Sequence, residues 1–323
     1  MFSVIIPLYN KAAYIERALQ SVLSQTFQEF ELIVVDDGST DDPFAQLSVI
    51  SQQLSVDDPE IYKKVRVIQQ QNQGVSTARN NGVKVAKYEY IAFLDADDWW
   101  ESTYLEEMKS LIEDFPEAGI YGCGYYKVKN GRYIRANIGV EPWFERGLIN
   151  YCRVYAKTMY MPLTSISSIL KKNIFEMEGG FKSSLKLGED FDLWVRVAMK
   201  YPVAFLNKSL AYYNQDVELL HRAIGEKLYE PSEHMLFSNY GELMQEPDFR
   251  YLYERLAVYG LLPYYLAEKN KKELDLILSD VHWKNHAFKY RLYYIVLPKG
   301  IVRAWFKLLK FGSLLKRLIN YKL

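Results

Sequence analysis

Four short apolar runs, separated by segments with helical spacing, occupy the first 95 residues and restrict the folds open to this chain. FSVIIPL (2–8), FELIVVD (30–36), VRVIQQ (65–70) and YEYIAFLD (88–95) read as strands. KAAYIERALQSVLSQ (11–25), DDPFAQLSVISQQL (41–54) and VSTARNNGVKVAK (75–87) carry apolar residues at helical intervals. In the second of these, Asp41 is placed to cap and Pro43 to sit in the first turn. Strands that are apolar throughout and alternate with helices belong to a parallel sheet covered on both faces, an α/β fold.

Beyond residue 95 the pattern is more varied. WESTYLEEMKSLIEDF (100–115) and EDFDLWVRVAMKY (189–201) read as helices, SISSILKK (165–172) as a strand, and VAFLNKSLAYYN (203–214) as two short strands. Asn130–Gly131 is a hairpin signal. After residue 216 helical character dominates, so the expected division is a core of 1–215 and a helical extension of 216–323. The abundant tyrosines of 251–294 are expected to pack those helices together. Cys123 and Cys152 are too few for a disulfide framework or a structural zinc site, which fits a reducing cytoplasm. MFSVIIP lacks the features of a secretory signal, and no apolar run reaches the ~18 residues that span a bilayer.

Ligands of an open α/β sheet bind beyond the carboxyl ends of its strands. Three ends here carry chemistry: Pro7-Leu8-Tyr9-Asn10, Asp36-Asp37-Gly38-Ser39 and Asp95-Ala96-Asp97-Asp98. Two further Asp pairs, 41–42 and 57–58, are explained by capping and turn chemistry. The pairs at 36–37 and 97–98 instead terminate apolar strands on one rim, and carboxylates converging there call for a cation, a donor-bearing ligand, or both. Mg2+ or Mn2+, held by one or two carboxylates and a ligand's phosphates, is the simplest such cation. The dinucleotide fingerprint fails, because PLYNKAAYIERA after the first strand contains no glycine, and no phosphate-binding loop ending in GK[ST] is present.

Taken in order, VIIPLYN, VVDDGSTDD, NQGVSTARNNG, FLDADD and GEDFDLWVR resemble a glycosyltransferase of family 2 over residues 2–215. The resemblance implies the GT-A fold, a Rossmann-like, mostly parallel sheet with helices on both faces, and transfer of a sugar from a nucleotide-diphosphate donor. It places Pro7, Tyr9 and Asn10 beside the nucleotide. Asp37 would accept from a uracil-type base, with Asp36 as the other candidate, which points to a UDP-sugar. Gly74, Arg79 and Asn80 would close over the nucleoside and diphosphate. Asp95-Ala96-Asp97 matches the D-x-D motif, with Asp95 and Ala96 against the nucleotide sugar, Asp95 at the ribose or assisting the metal, and Asp97 ligating it. Asp98 would share that duty or cap the next helix. Asp190 is assigned as general base, with Glu189 beside it. Inversion by single displacement follows, and no covalent intermediate is expected. Trp194 is the candidate for stacking on an acceptor sugar, with core packing as its other reading; Trp99 and Trp100 share that choice. Asp192 and Arg196 have the spacing of a helical ion pair. His221 and His234 are placed to complete the metal shell, outside any recognisable motif.

The net charge of zero conceals an asymmetry. Residues 281–323 hold ten Lys and Arg and no Asp or Glu, leaving thirty basic and forty acidic residues before them. In 298–323, Lys299, Arg303, Lys307, Lys310 and Arg317 form a basic face, opposite Ile301, Trp305, Leu308, Leu309, Leu315 and Ile319. This pattern suits a helix lying in an anionic membrane interface or one docked on the acidic body. A nucleic-acid partner is not expected, since the body lacks a basic groove. The expectation is therefore a metal-dependent inverting glycosyltransferase. It would act on a glycan or lipid-linked acceptor in cell-surface polysaccharide synthesis, in the cytoplasm or on the inner face of its membrane. A non-catalytic nucleotide-sugar-binding protein is the alternative from another class. A sugar nucleotidyltransferase is a further one, but its glycine-rich, Lys/Arg-bearing N-terminal loop is missing.

Overall fold

The computed structural model describes residues 1–43, 63–217, 228–306 and 308, and the chain forms two compact units, Met1–Gly225 and Glu226–Leu323. The helix expected over 41–54 lies, past its first three residues, outside the described residues, as do Asp57, Asp58 and His221.

Among the described residues the first unit holds one ten-stranded sheet. Its strands are β1 (Phe2–Leu8), β2 (Phe30–Asp36), β3 (Val65–Gln69), β4 (Tyr90–Phe93), β5 (Trp99–Trp100), β6 (Ile120–Lys129), β7 (Arg132–Arg135), β8 (Arg146–Ile149), β9 (Ser168–Lys171) and β10 (Val203–Asn214). The order is β3-β2-β1-β4-β9-β6-β10-β5, with β7 on β6 and β8 on β10. β1 is parallel to both β2 and β4, β2 to β3, and β6 to β10. β9 runs antiparallel between β4 and β6, a reversal within a mostly parallel sheet that hydrophobic periodicity does not encode. Every residue of β1 and β2 is buried, as two covered faces require. β3 is only half-buried because it is the edge. The segment read as two strands at 203–214 is one, with register shifts between Leu206 and Ser209 and between Ser209 and Ala211 that interrupt its alternation.

Among the described residues the helices of this unit are α1 (Ala12–Leu23), α2 (Val75–Val85), α3 (Tyr104–Asp114), α4 (Tyr151–Thr158), α5 (Lys172–Met177) and α6 (Glu189–Ala198). α1 buries Ile15, Ala18, Leu19 and Val22, a stripe at helical intervals. Its first turn is capped from a distance: Asp41 Oδ2 accepts the Ala12 N–H at 2.8 Å. Asp41 thus caps α1; the helix it was expected to cap lies largely outside the described residues. α2 lies close to β1 through Gly82, where a Cβ would come within 2.5 Å of Ile5 Cγ2. The β6–β7 turn places Asn130 and Gly131 at φ 51° and 67°, as the hairpin signal implied.

Register builds the rim. Leu8, Asp36 and Gln69 stand side by side, and Phe93 pairs with Ile5, with Leu94 donating to the Ile5 carbonyl. Residues 8–10, 36–39, 70–74 and 94–98 are thereby delivered to one edge.

The second unit contains α7 (Pro247–Gly260), α8 (Leu262–Ala267), α9 (Lys271–Ser279) and α10 (Phe288–Arg291), the last running into a π turn at Leu292–Val296. Its tyrosines do hold helices together: Tyr294 hydroxyl donates to the Val258 carbonyl at 3.1 Å, and the Tyr265 and Tyr294 ring centroids are 4.8 Å apart. Val302 is buried and Arg303 donates to the Leu266 carbonyl. Ile301, Trp305 and Leu308 remain more than half exposed. The start of the tail is thus docked by Val302, while Ile301, Trp305 and Leu308 of the apolar stripe face outward; Leu309, Leu315 and Ile319 lie outside the described residues.

Buried Glu254 accepts from Arg250 Nε (3.1 Å), His282 Nδ1 (2.8 Å) and His286 Nε2 (2.9 Å). Burial would raise its carboxyl above the ordinary 4.5, but the donors from His286, His282 and Arg250 overcome this and hold it at about 2. With the folded value below the unfolded one, the stabilisation is complete above pH 4.5 and lost as pH falls toward 2. It amounts to about 3 kcal/mol. Amide protection in α7 should fall across that window in the native chain and change little with pH in Glu254→Gln. Constant protection in the native chain would show that the cluster contributes nothing.

Candidate active site

The rim loops are laced to one another. Asn10, at φ 50°, donates its N–H to Ser39 Oγ (3.1 Å), while its Oδ1 accepts the Thr40 N–H (2.8 Å). Pro7 is buried in β1 and Tyr9 is exposed. Asp36 Oδ1 accepts the Ser39 N–H at 3.0 Å. Asp37 is 2% exposed and accepts three bonds, from Gln70 Nε2 (2.7 Å) and the Gln73 (2.8 Å) and Gly74 (2.8 Å) N–H groups. A carboxylate offers about four acceptor positions, so one is left for a ligand donor. Gly74 is at φ 88°, a conformation costly for other residues, and it starts α2.

Arg79 reaches both the D-x-D segment, 16 residues away in sequence, and Glu189, 110 residues away. Its guanidinium is 3% exposed, donates to Asp95 Oδ1 (2.6 Å), Glu189 Oε1 (3.1 Å) and Ser165 Oγ (3.2 Å), and stands over the Phe181 ring. Ser165 also lies 3.4 Å from Asp95 Oδ2. Burial alone would lower the Arg79 pKa, yet Asp95, Glu189 and Asp190 raise it above its already high value. Asp97 Oδ2 is paired with Lys11 Nζ at 2.5 Å. Asp98 does not cap a helix: its Oδ1 accepts the Asn214 N–H (2.7 Å), and its Oδ2 is buried with no partner. Burial first, then the charges of Asp97 and Asp95, push the Asp98 carboxyl well up; Asp97 is raised by burial against the opposing pull of Lys11.

Asp190 is the second residue of α6, after Gly188 and Glu189, and accepts the Phe191 N–H at 2.7 Å. Burial and the adjacent Glu189 charge push its carboxyl up to about 7, with Arg79 and the Phe191 N–H restraining the rise. That value suits a group that must take a proton near neutrality. Asp192 pairs with Arg196 at 2.9 Å, as its spacing implied, and with Lys182 at 2.6 Å.

Three readings change. Trp194 has no exposed surface and lies edge-to-face on Phe181, so it packs the core and has no face to offer a sugar. Asn80 spends its amide on the Phe181 backbone, donating to its carbonyl (2.8 Å) and accepting its N–H (3.0 Å), so it positions that loop. Ala96 is buried in the core cluster and sets the backbone between Asp95 and Asp97. Trp99 and Trp100 are buried too, Trp99 between Arg17 and Tyr212 and Trp100 on Tyr104. In the second unit, His234 accepts the Leu236 N–H and packs against Tyr229, Phe237 and Tyr264.

Lys11 and Ser165 are site residues that the sequence reading passed over. Lys11 directly follows the Asn10 rim residue and was open to notice. Ser165 begins a single 3-10 turn, Ser165–Ser167, just before β9, in the segment that the sequence reading gave to the strand.

An α/β sheet with acidic strand ends and a helix-borne pair of acids is the architecture of the GT-A fold. The model of glycosyl transferase family 2 matches residues 3–173, and the chain belongs to that family. An uncharacterized glycosyltransferase of Rickettsia felis is 32% identical over 216 residues, 65% of this chain and 32% of that protein. The chain thus spans about a third of that relative's length. The Escherichia coli UDP-Glc:alpha-D-GlcNAc-diphosphoundecaprenol beta-1,3-glucosyltransferase WfaP is 28% identical over 62% of this chain and 71% of its own. The structure of S. aureus TarS 1-349 in complex with UDP shares the fold at TM-score 0.62 and 20% identity, covering 84% of this chain and 76% of that one.

Proposed function

We propose that this chain transfers a sugar from a nucleotide-diphosphate donor, a UDP-sugar, to a hydroxyl of a glycan or lipid-linked acceptor with inversion at the anomeric carbon. The arrangement that carries the reading is the Arg79 bridge, which holds the D-x-D segment at Asp95 and the acidic pair at Glu189 within reach of one guanidinium. Asp190, pushed up to about 7, takes the proton of the attacking hydroxyl. Asp37, through its remaining lone pair, accepts from the base. Names of relatives support the donor and the setting: WfaP uses UDP-Glc, and TarS was crystallised with UDP.

The site has the chemistry for a divalent cation. The buried Asp98 Oδ2 has no partner, and a cationic side chain, Lys11, already sits on Asp97. No three Asp, Glu, His or Cys side chains form a closed ligand set among the described residues. This suits an ion that completes its shell with phosphate oxygens. Asp97 would hold the ion with Asp95 Oδ2, and the ion, Mn2+ or Mg2+, would stabilise the departing diphosphate. A similar mannosyltransferase from Pyrobaculum calidifontis was crystallised with GDP-Man and Mn2+.

No described helix is long and apolar enough to cross a membrane. Exposed Ile301, Trp305 and Leu308, in a segment rich in Lys and Arg, support peripheral attachment to an anionic leaflet.

Donor hydrolysis across a panel of nucleotide sugars, with Mn2+ or Mg2+, tests the reading. One nucleoside diphosphate should be released in a metal-dependent manner, and Asp97→Ala should cut its release by about a hundredfold or more. Tight binding of a donor with no release, even with acceptors added, would instead establish a binding protein.

A further inference from the structure

The cations around the site acids are not equally engaged. Lys11 is paired with Asp97, and Arg79 with Asp95 and Glu189. Lys127 is paired with no carboxylate among the described residues: its ammonium lies 3.2 Å from the Tyr160 hydroxyl and 4.3 Å from that ring's centroid. Its place in the sheet is specific. Lys127 is two residues beyond Tyr125 on β6, so both project from the same face. Its register partner on β10 is Tyr213.

Both tyrosines belong to the site. Burial raises the Tyr125 hydroxyl, with added contributions from Tyr160, Asp190 and Tyr213. The Tyr213 hydroxyl is pushed up to about 12 by burial, then by Asp98, Asp95, Asp97 and Asp190, and the residue is 38% exposed. Tyr213 directly precedes Asn214, whose N–H binds the Asp98 carboxylate, so Lys127, Tyr160 and Tyr213 gather at the strand ends beside the site acids. A wall of five acids repels an anion, and an unpaired ammonium beside an open aromatic face offsets that repulsion at one place.

We propose that Lys127, Tyr160 and Tyr213 form an acceptor subsite that binds a phosphoryl oxyanion of the acceptor, with the acceptor sugar over the Tyr213 ring and its hydroxyl toward Asp190. The proposal rests on the sugar-transfer reading and narrows its acceptor to a phosphate-bearing glycan. Two sources share this chemistry, a sugar on a lipid diphosphate and a sugar on a polyol-phosphate polymer.

Titration calorimetry on the full chain, saturated with UDP and Mg2+ so that the donor position is filled, separates these outcomes. The probes are octyl diphosphate, a glycerol phosphodiester dimer and neutral octyl glucoside. One charged probe should bind at least tenfold more tightly than octyl glucoside. Lys127→Met should remove that preference without changing the melting temperature, and Lys127→Arg should retain most of it. Preference for octyl diphosphate assigns the lipid source, and preference for the phosphodiester assigns the polymer. Equal binding of charged and neutral probes, or an unchanged preference in Lys127→Met, overturns the subsite. Donor hydrolysis run alongside keeps the two readings apart. Hydrolysis without anion preference removes only the subsite, and anion preference without hydrolysis removes only the transfer reading.

Discussion

Asp190→Asn lowers kcat by about a thousandfold, the middle of the range for loss of a positioned general base, and flattens the pH profile. Asparagine keeps an oxygen for the Phe191 N–H, so the start of α6 is retained. The direction with pH follows from the role. A base acts deprotonated, so with a value of about 7 the rate of the native chain rises about tenfold per pH unit below neutrality and levels off above it. The variant lacks the titrating group and leaves a low rate with no such limb. Rates of sugar transfer from pH 5.5 to 8.5 check this. A limb that survives in Asp190→Asn would move the role of base to another group, Glu189 first.

Arg79→Met acts on the fold and the chemistry together. It leaves Asp95 and Glu189 without the guanidinium that bridges them, and removal of one partner from a buried pair costs about 3–5 kcal/mol. The lower end is expected, since the Asp95 side chain is 30% exposed. The second consequence concerns Asp190, whose carboxyl Arg79 holds down. Its pKa rises further in the variant, and the pH limb of the rate moves to higher pH. Urea unfolding measures the first effect and the rate profile the second. A loss of stability with an unmoved limb would confine Arg79 to a structural role. Arg79→Lys, which keeps charge but not the forked geometry, should fall between.

Much of this protein is determined locally and was legible in order along the chain. β1 and β2 span the residues that their apolar runs mark, because a strand buried on both faces must be apolar throughout. The Asn130–Gly131 turn needs two positive φ angles, and few residue pairs supply them. The acids at 36–37 and 95–98 stand out because carboxylates following apolar runs are costly without a reason, and Glu189 and Asp190 stand out as an acidic pair opening a helix. Family membership follows from such segments taken together.

What the tertiary structure decided concerns partners distant in sequence. The antiparallel β9 is set by the strands on either side of it, to which its own residues give no pointer. Asp41 caps α1 because a loop 29 residues away passes that helix end. Asn80 and Trp194 look functional within their motifs, yet packing turns one onto the Phe181 backbone and the other into the core. Lys11 and Ser165 carry no motif, and Arg79 gains its meaning only where Asp95 and Glu189 meet. Hydrophobic periodicity reports which face of an element is buried. A hydrogen bond or ion pair across 100 residues depends on the approach of two chain segments, and the sheet register determines that approach.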